Sequence, residues 1–187
     1  MITLEALVGL CPPPADPPLP VDWAQAERDL GTALPADYKQ LVGTYGDGVF
    51  DETIGLLVPD SAYHDHDLHA QTRERDEILA GLWEFEEKPA GLREAGARVL
   101  PWAFEEGSGA FLYWLARSGQ HPDEWTVLYN EGRGPLWEHH EMGCLAFLMG
   151  VLTGTLDTEY FGYLYDVLKP TEHCFATADQ TLGTREL

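Results

Sequence analysis

Three histidines and two aspartates lie within the segment Tyr63-His64-Asp65-His66-Asp67-Leu68-His69. Imidazole and carboxylate groups are common zinc ligands, and on a helix Asp65 and His69 lie one turn apart on the same side. A motif such as H-E-x-x-H also places a catalytic glutamate between its two ligands, and this segment has no such glutamate. The alternative interpretation is a solvated, acidic first helical turn, because aspartates favour a helix N-terminus. We predict that the cluster binds no metal and that the protein uses no cofactor.

Two other groups of residues carry weaker chemical signals. His139 and His140 lie between Glu138 and Glu141, but the sequence alone does not bring them to the first histidine cluster. Ser108 lies between two glycines, yet a nucleophile elbow needs its glycines two residues away on each side, so a hairpin turn is predicted instead. The chain has no recognisable phosphate loop, calcium loop or cysteine nucleophile with a nearby base. We therefore predict no catalytic residue and no enzyme. The alternative, a metal-dependent enzyme built on the histidine cluster, can be tested by elemental analysis.

The chain is strongly acidic. Its 32 aspartates and glutamates stand against 11 lysines and arginines, which gives a formal net charge of -21. Such a surface repels the phosphates of nucleic acids and of anionic membranes, and it attracts a basic partner. We predict no direct binding to nucleic acid or membrane. The alternative interpretation of the charge is solubility alone.

Cysteine usage and the first residues bear on the cellular compartment. The three cysteines show no C-x-x-C spacing, which is typical of reduced thiols rather than a disulfide framework. No apolar run is long enough to span a bilayer. The N-terminal apolar stretch contains Glu5, lacks a basic start and has the bulky Leu10 before Cys11, so it does not fit an export signal. We predict a single domain in the cytoplasm.

Helical periodicity dominates the first half of the chain. Between Val21 and Phe50 it predicts two short helices, the first capped by Asp22 with Gln25 closing a capping box, and ended by Gly31. The following signals are, in order, Pro35 in the first turn of the second helix, Gly46 and Gly48 at its end, a strand over Ile54–Val58, and a long helix from Asp60 or Ser61 to about Phe85.

The period then changes from helical to extended. The predicted elements are four strands of an antiparallel meander over Val99–Phe104, Phe111–Leu115, Trp125–Asn130 and Leu136–His139, a closing helix from Cys144 to a cap at Gly154, and a further helix over Tyr160–Leu168. Helices at both ends of a mainly antiparallel sheet give an α+β fold. We expect four or five of the six tryptophans in the core, with Trp102, Trp114 and Trp125 on the inner face of the sheet.

The two ends of the chain are predicted to lie outside this domain. Six prolines between Pro12 and Pro20 predict an extended connector, and a Pro-rich ligand for a partner domain is the alternative. We expect residues 1–20 to form a loosely tethered arm and residues 21–170 to form the domain. Residues 171–187 form a tail whose last dozen residues look unstructured.

The order of these signals resembles the SMI1/KNR4 (SUKH) superfamily from about Val21 to Leu156. The residues that carry the opening of the resemblance are Trp23, Glu27, Leu30-Gly31, Leu34-Pro35, Asp37-Tyr38, Tyr45-Gly46-Asp47-Gly48 and Phe50. Its later part is carried by Leu100-Pro101-Trp102, Phe111-Leu112-Tyr113-Trp114, Pro122-Asp123-Glu124-Trp125-Thr126-Val127 and the helix that ends at Gly154. The hairpin Glu105-Glu106-Gly107-Ser108-Gly109 departs from the family's acidic-Asn-Gly-Asp pattern.

The resemblance implies a single SMI1/KNR4-like domain that binds another protein. Many bacterial members are immunity proteins that neutralise a cognate toxin, often a nuclease or a deaminase, and fungal members are regulators of cell-wall synthesis and signalling. The charge favours the first function, because an acidic protein can occlude the basic site of a nuclease. A regulatory or scaffold protein with a non-toxin partner is the alternative.

Acidic clusters at element ends and in loops are the predicted partner-binding residues, because such positions are free to contact a partner. They are Glu84, Glu86, Glu87, Glu105, Glu106, Asp123 and Glu124. The alternative is that each cluster is a solvated edge.

Overall fold

The computed structural model describes residues 3–132, 135–161 and 172–183, which form an α+β fold. Its α-helices are α1 (Leu4–Leu10), α2 (Trp23–Leu30), α3 (Ala36–Tyr45), α4 (Leu68–Leu82), α5 (Cys144–Thr153) and α6 (Ala178–Leu182). Its strands are β1 (Gly48–Phe50), β2 (Ile54–Leu56), β3 (Arg98–Glu105), β4 (Phe111–Ala116), β5 (Thr126–Asn130), β6 (Trp137–His140) and β7 (Phe175–Thr177). The strands form one sheet in the order β6-β5-β4-β3-β2-β1-β7, and all neighbouring pairs are antiparallel.

The caps of α2 confirm most of its predicted boundary. The carboxylate of Asp22 accepts a hydrogen bond from the N–H of Gln25, at 3.0 Å, and Gly31 ends the helix at φ 67°. The predicted capping box is wrong in its second half, because the Gln25 amide donates to Asp29 rather than returning to the N-cap. The helix therefore has an acidic cap but no reciprocal bond.

The chain around α3 differs from the prediction by a few residues. Pro35 is the N-cap of α3 and lies just outside the first turn. Gly46, at φ 72°, ends the helix as expected, but Gly48 belongs to β1 and not to the helix end. β1 forms a tight hairpin with β2, and the predicted strand over Ile54–Val58 is shorter, ending at Leu56. The turn needs the left-handed region at Asp51 and Glu52, with φ of 48° and 55°.

The long helix predicted from Asp60 begins later than expected. Asp60 has a φ of 58°, which a right-handed helix does not allow. His64–His66 forms a single 3-10 turn, and Asp67 then caps α4 by accepting from the N–H of Ala70 at 2.6 Å. After α4, hydrogen-bonded turns continue as far as Glu86, whose N–H donates to the carbonyl of Leu82.

The meander and its first hairpin are confirmed. β3 to β6 pair in chain order, and the β3–β4 hairpin turns through Gly107 and Gly109 at φ of 78° and 80°. Ser108 lies in this turn, where its hydroxyl donates to the carboxylate of Glu105 at 2.8 Å. The Gly-Ser-Gly segment is therefore a hairpin turn, as the sequence predicts.

The sheet buries side chains on both faces because successive residues of a strand point to opposite sides. On one face, Trp114 packs against Tyr38 of α3, with ring centroids 4.8 Å apart, and Trp102 packs against Phe147 of α5 at 6.3 Å. On the other face, the guanidinium of Arg75 in α4 lies 4.4 Å from the ring centre of Phe111. The sheet is thus covered by α3 and α5 on one side and by α4 on the other.

The tryptophan prediction was too high. Trp102, Trp114 and Trp125 are fully buried, and the first two stack with their centroids 6.3 Å apart. The other three, Trp23, Trp83 and Trp137, are partly exposed and pack at the rim of the core. Three tryptophans rather than four or five are therefore fully enclosed.

Both ends of the described chain pack on the same core. The prediction that the N-terminal arm is loosely tethered is wrong. Leu7 and Cys11 are completely buried, and the hydroxyl of Tyr45 donates to the carbonyl of Cys11 at 2.6 Å. The prediction that the last dozen residues are unstructured is also wrong over residues 176–182. Here β7 pairs with β1, and α6 follows with a capping box at Thr177. The division at residues 20 and 170 stays a prediction, and the helix predicted over Tyr160–Leu168 lies largely outside the described residues.

Hydropathy gives no membrane-crossing element in the described segments. None of the helices there combines the length and the apolar character that a bilayer requires.

Candidate functional site

The three histidines of the central cluster have separate surroundings. His66 is 2% exposed, and its Nδ1 lies 2.5 Å from the Oδ1 of Asp47. His64 is exposed, and its Nε2 lies 2.5 Å from the Oε1 of Glu74 in α4. His69 lines a separate cavity. Over residues 3–132, 135–161 and 172–183, no group of three or more His, Cys, Asp or Glu side chains could hold a metal ion.

The buried histidine belongs to a network that fixes loops together. The second carboxylate oxygen of Asp47 accepts a short hydrogen bond from the hydroxyl of Ser61. The ring of His66 packs edge-on against Phe104 with centroids 4.9 Å apart. A nucleophilic triad needs the histidine between the hydroxyl and the carboxylate, whereas Ser61 and His66 both bind the carboxylate directly. This arrangement stabilises the approach to α4 and does not activate the serine.

The second histidine pair lies in β6. The Nε2 of the buried His140 lies 3.2 Å from Glu138, while His139 is exposed and its Nε2 lies 2.9 Å from the hydroxyl of Thr126. Partial desolvation of the ring, together with the nearby charge of Arg117, lowers the pKa of His139. These residues form local pairs along the strand and do not join the first histidine cluster.

The predicted acidic residues of the β3–β4 hairpin are divided between the interior and the surface. Glu105 is 5% exposed, and its carboxylate accepts hydrogen bonds from Ser108 and from the hydroxyl of Tyr160, each at 2.8 Å. Glu106 is half-exposed. A partner can therefore reach Glu106 at this hairpin, but Glu105 serves the interior of the fold.

The acidic residues before β5 also have structural roles. Asp123 accepts a hydrogen bond from the N–H of Ala36, at 2.6 Å, and so caps the start of α3 from a distant loop. Glu124 accepts from the N–H of His121 at 3.3 Å in a local capping box. Stability explains both carboxylates, although both side chains remain exposed.

The remaining three predicted residues surround an exposed aromatic side chain. Glu84, Glu86 and Glu87 follow the C-terminus of α4, and Phe85 between them is 87% exposed. A helix C-terminus carries partial negative charge and favours cations, so acidic residues here oppose helix stability. Among the described residues, the carboxylates of Glu84 and Glu86 have no hydrogen-bond or ion-pair partner, and that of Glu87 has only Arg93 at 4.0 Å. Helix stability does not explain this cluster.

The exposed apolar surface includes a residue of α4 as well as Phe85. Ile78 is 49% exposed, and the positions 78, 82 and 85 fall on one side of a helix. The sequence interpretation did not single out Phe85, although one signal was present. Phe85 lies among three glutamates and has no apolar residue directly beside it in the sequence, and this pattern indicates a side chain that faces solvent.

Two cavities lie away from this surface. One of about 490 Å³ is lined by Asp29, Asp67, Arg73, Asp76 and Arg98, among others. Burial raises the pKa of Asp76, and the charge of Arg98 opposes that rise. The other, of about 580 Å³, lies along the Pro-rich segment. The lining of the first cavity carries charges of both signs, since Asp60 also lies there and the four aspartates stand against Arg73 and Arg98.

Comparison with models of protein families finds no match, and comparisons with curated proteins and with solved structures also find none. The resemblance to the SMI1/KNR4 superfamily therefore stays a prediction. The site is defined by its own chemistry: an exposed aromatic side chain among carboxylates just after the C-terminus of α4.

Proposed function

We propose that this protein is an immunity-type binding protein that neutralises a basic toxin domain, nuclease-like or deaminase-like, by occluding its site in the cytoplasm. The observation that carries the proposal is the formal net charge of -21 on a folded domain. Three of the few lysines and arginines, Lys39, Arg93 and Arg117, also form ion pairs with glutamates of the protein itself. Most of the negative charge is left without compensation.

Occlusion would follow from charge complementarity. A basic active-site groove and an acidic protein attract each other over a distance, which raises the association rate, and direct contact then keeps substrate out. The proposed mechanism breaks no bond and needs no cofactor. Specificity would come from the few apolar side chains that the partner can bury.

Growth rescue tests the proposal directly. Where the adjacent gene encodes a toxin domain, that domain is expressed in a host with and without the protein, and rescue is expected only with it. Affinity of the purified pair should fall at least about tenfold between about 50 mM and about 500 mM sodium chloride, because salt screens exposed charges. Affinity that is unchanged by salt would overturn the electrostatic mechanism.

The alternative is a regulatory or scaffold protein with a non-toxin partner. A neighbouring gene that encodes no toxin, together with no growth rescue, would favour this alternative. Both functions use the same acidic surface, so the partner's identity separates them and the salt dependence does not.

A further inference from the structure

We propose that the partner docks on the α4 surface, formed by Ile78, Leu82 and Phe85 with Glu84, Glu86 and Glu87, and that the partner presents an apolar strip bordered by lysine or arginine side chains. This inference rests on the proposed function, and it names where the acidic protein makes contact and with what chemistry.

The apolar part of this surface is unusual for the molecule. In the described part of the chain, the large apolar side chains left exposed are Leu19 at 90%, Ile78 at 49% and Phe85 at 87%. Leu19 lies in the proline-rich connector, whereas Ile78 lies in α4 and Phe85 lies in the hydrogen-bonded turn that follows it. Burying one such side chain contributes about 1.5–3 kcal/mol, so water exposure here is costly without a partner. An exposed Phe85 therefore indicates a contact residue.

Aromatic packing beneath this surface makes its backbone rigid. Trp83 packs against Trp137 of β6 with centroids 5.7 Å apart, and Trp137 packs against Tyr113 of β4 at the same distance. The N–H of Phe85 also donates to the carbonyl of Leu82 at 3.0 Å. An aromatic anchor on a rigid base loses little conformational entropy when it binds.

The charged part of the surface selects a cationic partner. Glu84, Glu86 and Glu87 add three carboxylates to the negative end of the α4 dipole, so their fields and that of the helix have the same sign. Two cations of the described chain lie in this region: Arg93, 4.0 Å from Glu87, and Lys88, whose ammonium lies 5.9 Å from the ring of Trp83. Glu84 and Glu86 thus stay available for basic groups of the partner.

A defined peptide tests this chemistry without knowledge of the natural partner. The probe is a fluorescent peptide of about 18 residues, made of leucine and lysine in an order that forms an amphipathic helix. Fluorescence anisotropy measures its affinity for the full chain. Phe85→Ala should weaken binding about tenfold, as expected for an aromatic anchor, while the unfolding midpoint stays unchanged.

Matched control variants distinguish the effect of the position of the carboxylates from the effect of the total net charge. The variant E84Q/E86Q/E87Q should weaken binding and reduce its salt dependence. D16N/E52Q/E172Q changes the net charge equally at exposed positions in the N-terminal segment, the β1–β2 turn and the approach to β7, and it should bind like wild type. Leu19→Ala, which removes the other fully exposed apolar side chain, should also bind like wild type.

Three outcomes would overturn the inference in distinguishable ways. Equal weakening by the two triple variants would assign binding to total charge, which rejects the α4 surface and retains the proposed function. A wild-type chain that does not bind the peptide would also reject this surface, and growth rescue would then judge the proposed function separately. Tight binding of the peptide without salt dependence would reject the role of the three glutamates, and growth rescue would again judge the proposed function separately.

Discussion

Asp67 at the start of α4 accepts a hydrogen bond from the N–H of Ala70, while Glu84 at the other end faces solvent two residues beyond the helix. Just before the start, the buried His66 and the hydroxyl of Ser61 both bind the carboxylate of Asp47. The two ends have the same kind of charge, but only the first end uses it within the fold. Carboxylates with intramolecular donors stabilise the protein, and carboxylates without them are candidates for intermolecular contact.

The largest expected difference between the two ends is in stability. Asp47→Ala should lower the free energy of unfolding by about 3 kcal/mol, because it leaves the buried His66 and the half-buried Ser61 without their acceptor. Glu84→Ala, the matched change at the exposed end, should leave it within about 0.5 kcal/mol of wild type. Urea denaturation measures both. Equal losses in the two variants would remove the distinction drawn between them.

A smaller loss is expected from the helix cap. Asp67→Ala should reduce the free energy of unfolding by about 1 kcal/mol, since one N–H in the first turn of α4 loses its acceptor. Asp65→Ala changes an exposed carboxylate in the preceding 3-10 turn and serves as its control. A cap variant as stable as this control in thermal and urea unfolding would show that α4 does not depend on Asp67.

At the acidic C-terminal end of α4, substitution of the carboxylates should raise the free energy of unfolding rather than lower it. E84K/E86K should raise the free energy of unfolding by about 0.5–1 kcal/mol, because cations complement the C-terminal end of the helix dipole. The same variant should no longer bind the leucine-lysine peptide. A protein that becomes more stable while losing binding would show that the acidic residues serve contact at a cost in stability. A destabilised variant would contradict this explanation.

The smallest effect concerns the exposed His64–Glu74 pair. Their hydrogen bond raises the pKa of His64 and lowers the pKa of Glu74. The histidine's contribution is complete below its unfolded pKa and is lost as pH rises through its raised folded pKa. The glutamate's contribution is present above its unfolded pKa and is lost as pH falls through its lowered folded pKa. The pair therefore stabilises the fold most between these limits, near about pH 5.5.

Thermal unfolding of His64→Ala across this pH range measures the effect. The variant should melt below wild type at about pH 5.5, and the difference should disappear as the pH rises through the raised pKa of His64. Glu74→Gln should give the same profile, and combining the two changes should add nothing, because both remove one interaction. A constant difference at all pH values would assign the loss to packing instead.

Local signals allowed much of the fold to be predicted. The turn at Gly107 and Gly109, the left-handed caps at Gly31 and Gly154 and the antiparallel meander all depend on residues close in sequence. Glycine at a position of positive φ leaves a clear mark because other residues are disfavoured there. The α+β class followed from the order of these elements.

The errors came from contacts between distant segments. β7 has three residues, too few for a period, and forms only because β1 provides its partner. Glu105 was expected at the surface, yet its carboxylate is bonded to Tyr160, 55 positions away. Asp123 likewise caps a helix 87 positions away. Sequence composition identified the acidic loops but could not show which carboxylates the fold itself uses.

The anchoring of both chain ends has a practical consequence for anyone preparing smaller versions of this protein. A fragment trimmed to residues 21–170 would lose the Cys11 carbonyl that Tyr45 binds and the Phe175 ring, which lies 5.2 Å from Tyr45 and 4.7 Å from Phe50. It would also leave β1 as an uncovered sheet edge, a known template for aggregation. Crystallisation and binding studies should therefore retain both flanking segments.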